Sequence, residues 1–277
     1  MRSVLITGCS SGIGLCLAQG LKKSGYRVFA TARQSKDVKM LTQLGFESYQ
    51  LDLASSGSIK SAMKQIYSKV DSLYGLIHNG AYGQVGALED ISREVLEAQF
   101  QTNVFGWHEL TNLVLPSMKK NNKGRIIYLS SVLGFVAMPF RGPYNASKFA
   151  IEGLVDTLRL ELTNTNIQLS LIQPGPIESK FRENAYQAFK KNVDMTNSDY
   201  HDNYQQMIKR LQSEELTDYT LPAESILTCT LHALESSKAK NRYWVTFPTK
   251  LFAVLKRILP SRIMDKILSK AGAGGRR

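Results

Sequence analysis

The chain has 277 residues, 43% of them apolar and 21% charged, proportions of a globular protein rather than a disordered or fibrous one. Its 35 Lys+Arg against 23 Asp+Glu leave a net charge of +12 and a pI near 9.5, which suits phosphate-bearing ligands, acidic lipid or nucleic acid without choosing among them. Three cysteines, Cys9, Cys16 and Cys229, form no CxxC pair, so neither a disulfide framework nor a metal site is expected, and a reducing cytoplasm is the expected compartment.

Met1-Arg2-Ser3 runs directly into Val4-Leu5-Ile6, an apolar run too short for a signal peptide and read as a buried strand. Thr7-Gly8-Cys9-Ser10-Ser11-Gly12-Ile13-Gly14 follows, and then an apolar helical pattern through Leu17 and Leu21. Strand, glycine turn and helix form an arrangement in which free N–H groups and the positive helix end face a diphosphate. The candidate phosphate-binding residues are therefore Gly8, Ser10, Ser11, Gly12, Ile13 and Gly14. Gly8-Cys9-Ser10-Ser11-Gly12 also satisfies the G-x-S-x-G elbow of a hydrolase, but that reading needs an oxyanion loop from an earlier strand, and too few residues precede Gly8 to build one.

A second strand, Tyr26 to Thr31, leads into Ala32-Arg33, where a dinucleotide fold places its ribose-reading residue. An acidic side chain there would read a free 2′-hydroxyl; neutral Ala32 and cationic Arg33 suit a 2′-phosphate. A third strand, Glu47 to Leu51, ends in Asp52-Leu53, and a fourth, Gly75 to His78, ends in Asn79-Gly80-Ala81. Strands that each end in small or polar residues are what a parallel sheet shows when its carboxyl edge forms a binding crevice. From Ser92 a long helical pattern contains Asn103. The apolar run from Arg125 closes on Ser131, where a strand end can aim a hydroxyl at a bound ligand.

Tyr144 and Lys148 lie four residues apart at the start of a helix with an apolar stripe at Ile151, Leu154, Val155, Leu158 and Leu162. Their side chains share a face, and a nearby ammonium would lower the phenol's pKa and fit Tyr144 for exchanging a proton with a substrate oxygen. A sixth strand, Ile167 to Ile172, closes on Pro174-Gly175-Pro176-Ile177. The stretch 178–222 is rich in charge and aromatics, which fits either a lid over a ligand or a solvated helical hairpin. A last strand, Tyr243 to Thr246, ends a single domain over 1–248. The tail 249–277 carries two apolar stripes, Leu251, Val254, Leu255 and Ile258, then Ile263, Met264, Ile267 and Leu268, among many cations. Such a tail either packs on the body or a second subunit, or lies peripherally on an anionic membrane from its inner side.

Taken together, the glycine turn, Asp52, the Asn79 turn, Asn103, Ser131, Tyr144 with Lys148, and Pro174-Gly175 make the chain resemble the short-chain dehydrogenase/reductase family over nearly its whole length, particularly its steroid, retinol and aldehyde branch. The resemblance implies an α/β fold with a doubly wound parallel sheet (Rossmann-type) holding a nicotinamide cofactor, with Asp52 and Leu53 near the adenine and Asn79, Gly80 and Ala81 supporting the central strand. It implies Tyr144 as general acid or base, Lys148 on the nicotinamide ribose and lowering the Tyr144 pKa, Ser131 orienting the substrate oxygen and Asn103 holding a relay water. Pro174, Gly175, Ile177 and Ser179 would line the nicotinamide side. The sequence departs from the family at Asn79-Gly80-Ala81, where Asn-Ala-Gly is usual, and at Ser179, where Thr is common; both changes keep the groups the chemistry needs.

The expectation is an NADP(H)-dependent oxidoreductase acting on a lipophilic aldehyde, ketone or alcohol. A catalytically silent cofactor sensor is the alternative, which has no need of the full Asn103, Ser131, Tyr144 and Lys148 set. No nucleic-acid recognition module is present in the sequence. By analogy with the family, pairing through the helices around Asn103 and Tyr144 gives a homo-oligomer.

Overall fold

The computed structural model describes residues 1–213, 215 and 218–272; small parts of the expected lid and the last five residues of the tail lie outside them. Chain order is β1 (Ser3–Ile6), α1 (Gly12–Lys23), β2 (Arg27–Ala32), α2 (Ser35–Gln43), β3 (Glu47–Gln50), α3 (Ser56–Tyr67) and β4 (Gly75–His78). Then come α4 (Arg93–Phe100), α5 (Gly106–Lys120), β5 (Gly124–Leu129), α6 (Gly142–Glu161) and β6 (Ile167–Gln173). The chain continues through α7 (Phe181–Asn192), α8 (His201–Gln212), α9 (Glu224–Glu235), β7 (Arg242–Trp244), α10 (Phe247–Ile258) and α11 (Ser261–Gly272).

The strands form one parallel sheet in the order β3-β2-β1-β4-β5-β6-β7. Successive residues of each strand bury into opposite layers. Leu5, Leu76, Ile126 and Tyr128 join the layer of α3, α5 and α6, while Val4, Ile6, Ile77, Ile127 and Leu129 join the layer of α1 and α9. Burial on both faces explains why these strands read as unbroken apolar runs rather than alternating ones. The chain reverses its direction of winding between β1 and β4, and the crevice beyond their carboxyl ends is where such sheets hold ligands.

Several boundaries differ from the sequence reading. The helical pattern from Ser92 is two α-helices joined by a π-turn, Gln101–Phe105. β5 stops at Leu129, so Ser131 lies beyond the strand and caps a short 3-10 turn, its Oγ accepting from Leu133 N at 3.1 Å. β7 stops at Trp244 because Thr246 turns inward to share a hydrogen bond with Thr249 at 2.9 Å. The described residues of 178–222 do not form a solvated hairpin. Phe189 and Tyr204 are fully buried, and the Tyr204 hydroxyl bonds Asp90 and accepts from Ala87 N, which clamps α8 to the loop after β4. No helix among the described residues is long and apolar enough to cross a membrane.

Gly106 opens α5 where the helix touches the turn after β3, and a Cβ built there would stand 2.0 Å from the Leu53 carbonyl oxygen. Gly153, on the outer side of α6, has nothing within 4 Å. Gly106→Ala is expected to lower the urea midpoint by an amount equivalent to about 1–3 kcal/mol, while Gly153→Ala leaves it unchanged or raises it through better helix propensity. Equal effects at the two sites would show that backbone approach at Gly106 does not constrain the fold.

Candidate active site

Every strand from β1 to β6 delivers residues to one edge of the sheet. At β1, Gly8 and Gly12 adopt left-handed φ of 72° and 52°, which glycine reaches without strain. A Cβ on Gly14 would stand 2.1 Å from the Gly8 carbonyl oxygen, so α1 can start this close to the strand only with glycine there. Ser11 caps α1 without a side-chain hydrogen bond, and the first turn contains no acidic residue. The N–H groups of Gly12, Ile13 and Gly14 therefore face the crevice as anion donors, with Ser10 and Ser11 half-buried beside them.

The turn is tied to β4 through Thr7. Its Oγ1 accepts from the N–H groups of Asn79 (3.0 Å) and Gly80 (2.9 Å), while Asn79 Nδ2 donates to the carbonyls of Thr7 and Gly8, both at 2.9 Å. Gly80 and Leu53 pack together, and Trp107 Nε1 donates to Gly80 O at 2.9 Å. That contact explains how Asn-Gly-Ala stands in for Asn-Ala-Gly: the turn is held through the carbonyl, not through a side chain. Ala81 packs on the same apolar layer.

The Arg33 guanidinium follows β2 at the open end of the crevice and is exposed. Asp52 follows β3, its Oδ1 accepting from Ala54 N at 3.0 Å. At β6, Pro174 O accepts from Val132 N at 2.8 Å, Gly175 packs against Thr246, and Ile177 bridges to Leu221. Ser179 is brought over the glycine turn, its Cβ 3.2 Å from a Cβ built on Gly12. The expected cofactor-binding residues thus ring one crevice, and its donors and glycine cradle fit a dinucleotide's diphosphate.

Across the crevice, α6 presents Tyr144 and Lys148. The Lys148 ammonium is 1% exposed, donates to Leu129 O at 2.7 Å, and lies 4.4 Å from the centre of the Trp107 ring and 5.6 Å from that of Tyr144. Burial pushes its pKa down to about 7, with the Glu152 carboxylate opposing. Tyr144 is also buried, and this raises its phenol above the ordinary 10, with a hydrogen bond to Ser131 pulling part of the way back. The sequence reading expected the ammonium to lower that phenol. In the folded chain burial sets the net direction, so at neutral pH Tyr144 keeps its proton and stands as a donor.

Asn103 reaches this centre because the π-turn rotates it inward. Its Nδ2 donates to Tyr82 O (2.9 Å) and Ser147 Oγ (3.1 Å), and its Oδ1 accepts from Tyr82 N (3.2 Å). Local insertions of this kind recur at functional sites. Three residues to which the sequence reading gave no role at the site complete the surroundings. Trp107 gives its ring face to Lys148, His78 stacks between Trp107 and Tyr128, and Thr111 Oγ1 bonds both His78 Nε2 (2.9 Å) and the Tyr128 hydroxyl (2.8 Å). The only sequence signal for them was polar and aromatic residues inside segments otherwise read as core.

A short chain dehydrogenase family model matches residues 2–190. An uncharacterized oxidoreductase, YbbO, of Escherichia coli is 42% identical over 269 residues, covering 96% of this chain and 94% of that one. The 3-ketodihydrosphingosine reductase of Bacteroides thetaiotaomicron is 33% identical over 272 residues, 96% of each chain. Human retinol dehydrogenase 8 is 40% identical over 190 residues, 65% of this chain and 60% of its own. Among solved structures, a short-chain dehydrogenase from Streptomyces avermitilis superposes with a TM-score of 0.80 at 21% identity, covering 96% of this chain and 94% of that one, a likeness of fold.

His78 supplies a pH test of this centre. Burial, and then the Lys148 charge, lower its pKa from 6.5 to about 3. The unfolded ring takes up a proton near its ordinary value and the folded ring does not, so this group's contribution to stability is full above that value and lost as pH falls from about 6.5 toward 3. Urea unfolding at pH 7 and pH 5 should show the parent losing about 2 kcal/mol more over that interval than His78→Phe does. Equal losses would mean that the folded His78 takes up a proton normally.

Proposed function

The chain belongs to the short-chain dehydrogenase family, and on that premise we propose that it is an NADP(H)-dependent reductase or dehydrogenase of a lipophilic aldehyde, ketone or alcohol. The observation that carries this reading is the convergence of Ser131, Tyr144, Lys148 and Asn103 on one side of a crevice whose other side is the glycine turn. The nicotinamide would supply or accept the hydride at the substrate carbon. The rest falls to the protein. In reduction the Tyr144 hydroxyl donates its proton to the carbonyl oxygen as the hydride adds to the carbon, and in oxidation it takes that proton back. Ser131, on its capped turn, is placed to hold the same oxygen. Lys148, with a pKa near 7, can return a proton to Tyr144 at neutral pH, and the inward-facing Asn103 is suited to ordering a relay water. The Arg33 guanidinium, free of an acidic neighbour at the end of β2, favours a 2′-phosphate.

A lipophilic substrate is supported by the walls around Tyr144. Val132, Leu133 and Val136 cluster with it, Phe181 stands 5.1 Å from it ring to ring, and α10 and α11 add Phe252, Met264 and Leu268. Apolar surroundings of this kind would favour a chain or ring beside the reacting carbon while a few polar groups fix its oxygen.

NADPH oxidation screened against aldehydes, ketosteroids and small polar ketones tests the reading, with turnover expected for the apolar classes and not for the polar ones. Tyr144→Phe should cut turnover by about a hundredfold to ten-thousandfold while leaving cofactor binding, read by fluorescence titration, nearly unchanged. An active Phe variant would remove Tyr144 from the proton's path. The parent should bind NADPH more tightly than NADH, and Arg33→Ala should erode that difference; equal affinities in the parent would overturn the cofactor assignment.

A further inference from the structure

The C-terminal helices have two apolar faces, and packing accounts for only one of them. Inward, Phe252, Met264 and Leu268 are buried against Val132, Val136 and Tyr144, with Leu255, Leu259 and Ile267 packed around them. Lys256 also turns back to donate to the Phe135 carbonyl. Outward, α10 leaves Phe247, Leu251, Val254 and Ile258 at 59, 41, 47 and 69% exposure. These positions follow the three- and four-residue spacing of a single helix face. Tyr219 extends the stripe by stacking on Phe247 at 5.5 Å, and is itself 47% exposed. The next helix adds Ile263 at 46%.

Cations border this surface. Lys250 and Arg257 lie one helical ridge from Val254, and Arg262, Lys266 and Lys270 surround Ile263 on the outward side of α11, all of them exposed. Asp265 is the only acid in the two helices. An apolar stripe with a cationic border, and a Tyr at its end, matches the profile of a bilayer's interface, where side chains enter the acyl boundary and ammonium groups meet phosphate. A second copy of the chain is a poorer occupant, because a face carrying five cations and one acid repels itself.

We propose that the outward faces of α10 and α11 are a docking surface for an anionic lipid bilayer. The same two helices form the outer wall of the apolar cluster containing Tyr144, so docking would set that wall against the phase in which a lipophilic compound is dissolved. This surface is independent of the reaction proposed above, and it is tested without turnover.

The test is co-sedimentation of the full-length protein with phosphatidylcholine vesicles, with and without phosphatidylglycerol, at low and high salt. The expected result is binding to the anionic vesicles only, released by high salt. Lys266→Glu with Lys270→Glu should weaken partitioning by about tenfold or more, since each cation near such a surface contributes to attraction. Leu251→Gln with Ile258→Gln should weaken it as well, while circular dichroism shows both variants folded. Protein that stays in the supernatant with anionic vesicles at low salt overturns the proposal, as do equal binding to uncharged vesicles and folded variants that bind like the parent. A parent dimer that Leu251→Gln with Ile258→Gln converts to monomer in light scattering would assign the face to a second copy and also overturn it.

Discussion

A fully buried ammonium is costly to fold around, and the centre of this protein is arranged so that Lys148 can be one. The chain supplies it with the Leu129 carbonyl and with two aromatic faces, Trp107 and, further off, Tyr144. One turn of helix further on, Glu152 is also buried and is fixed by Gln173 and by Arg242, which in turn pairs with Asp156 at 2.6 Å. Removing Glu152 would leave the cation without its nearest opposing charge; removing Trp107 would open the space that keeps water away. The neutrality of His78 follows from the same arrangement, because a second positive charge beside Lys148 would have no counter-ion. The last strand, β7, thus does more than extend the sheet, since its Arg242 anchors the carboxylate behind the site.

Much of this was legible from the order of residues, and the reasons differ by element. The strands could be found because burial on both faces makes them continuous apolar runs, and each strand's terminal polar residues identified the binding edge. Gly8, Gly12 and Gly14 announced their turn because no other residue fits those backbone conformations and distances. Asn103 was visible as a residue but not as a geometry: nothing in Gln-Thr-Asn-Val-Phe distinguishes a π-turn from regular helix. The net direction of the Tyr144 phenol could not be read, because spacing on a helix tells which charge is near, while desolvation depends on everything packed above it. The tail stayed open between two readings for a related reason. Its spacing showed stripes but could not show that Leu251, Val254 and Ile258 face away from Phe252 and Ala253, which fill the inner side.

The lid region makes the same point about scale. Its aromatic content is accounted for by contacts with specific partners. Phe140, at a left-handed φ of 59°, sets its ring edge-on to Tyr200 and Tyr204, and Phe189 meets Tyr204 at 5.0 Å. These side chains bind α7 and α8 to the loops on either side of the crevice, leaving Phe181 at the start of α7 as the ring beside Tyr144.

The docking of Phe252, Met264 and Leu268 against Val132 and Tyr144 also has a bearing on biosynthesis. Phe252, Met264 and Leu268 follow β7 in the chain, whereas the glycine turn follows β1, so a ribosome-bound chain can assemble most of the sheet while Val132 and Tyr144 are still uncovered. Until α10 and α11 emerge, Val132, Leu133 and Val136 present apolar surface to solvent, a state in which nascent proteins are prone to self-association. Covering of this cluster therefore waits on α10 and α11, and a chain lacking those helices would leave its apolar surface open to chaperones.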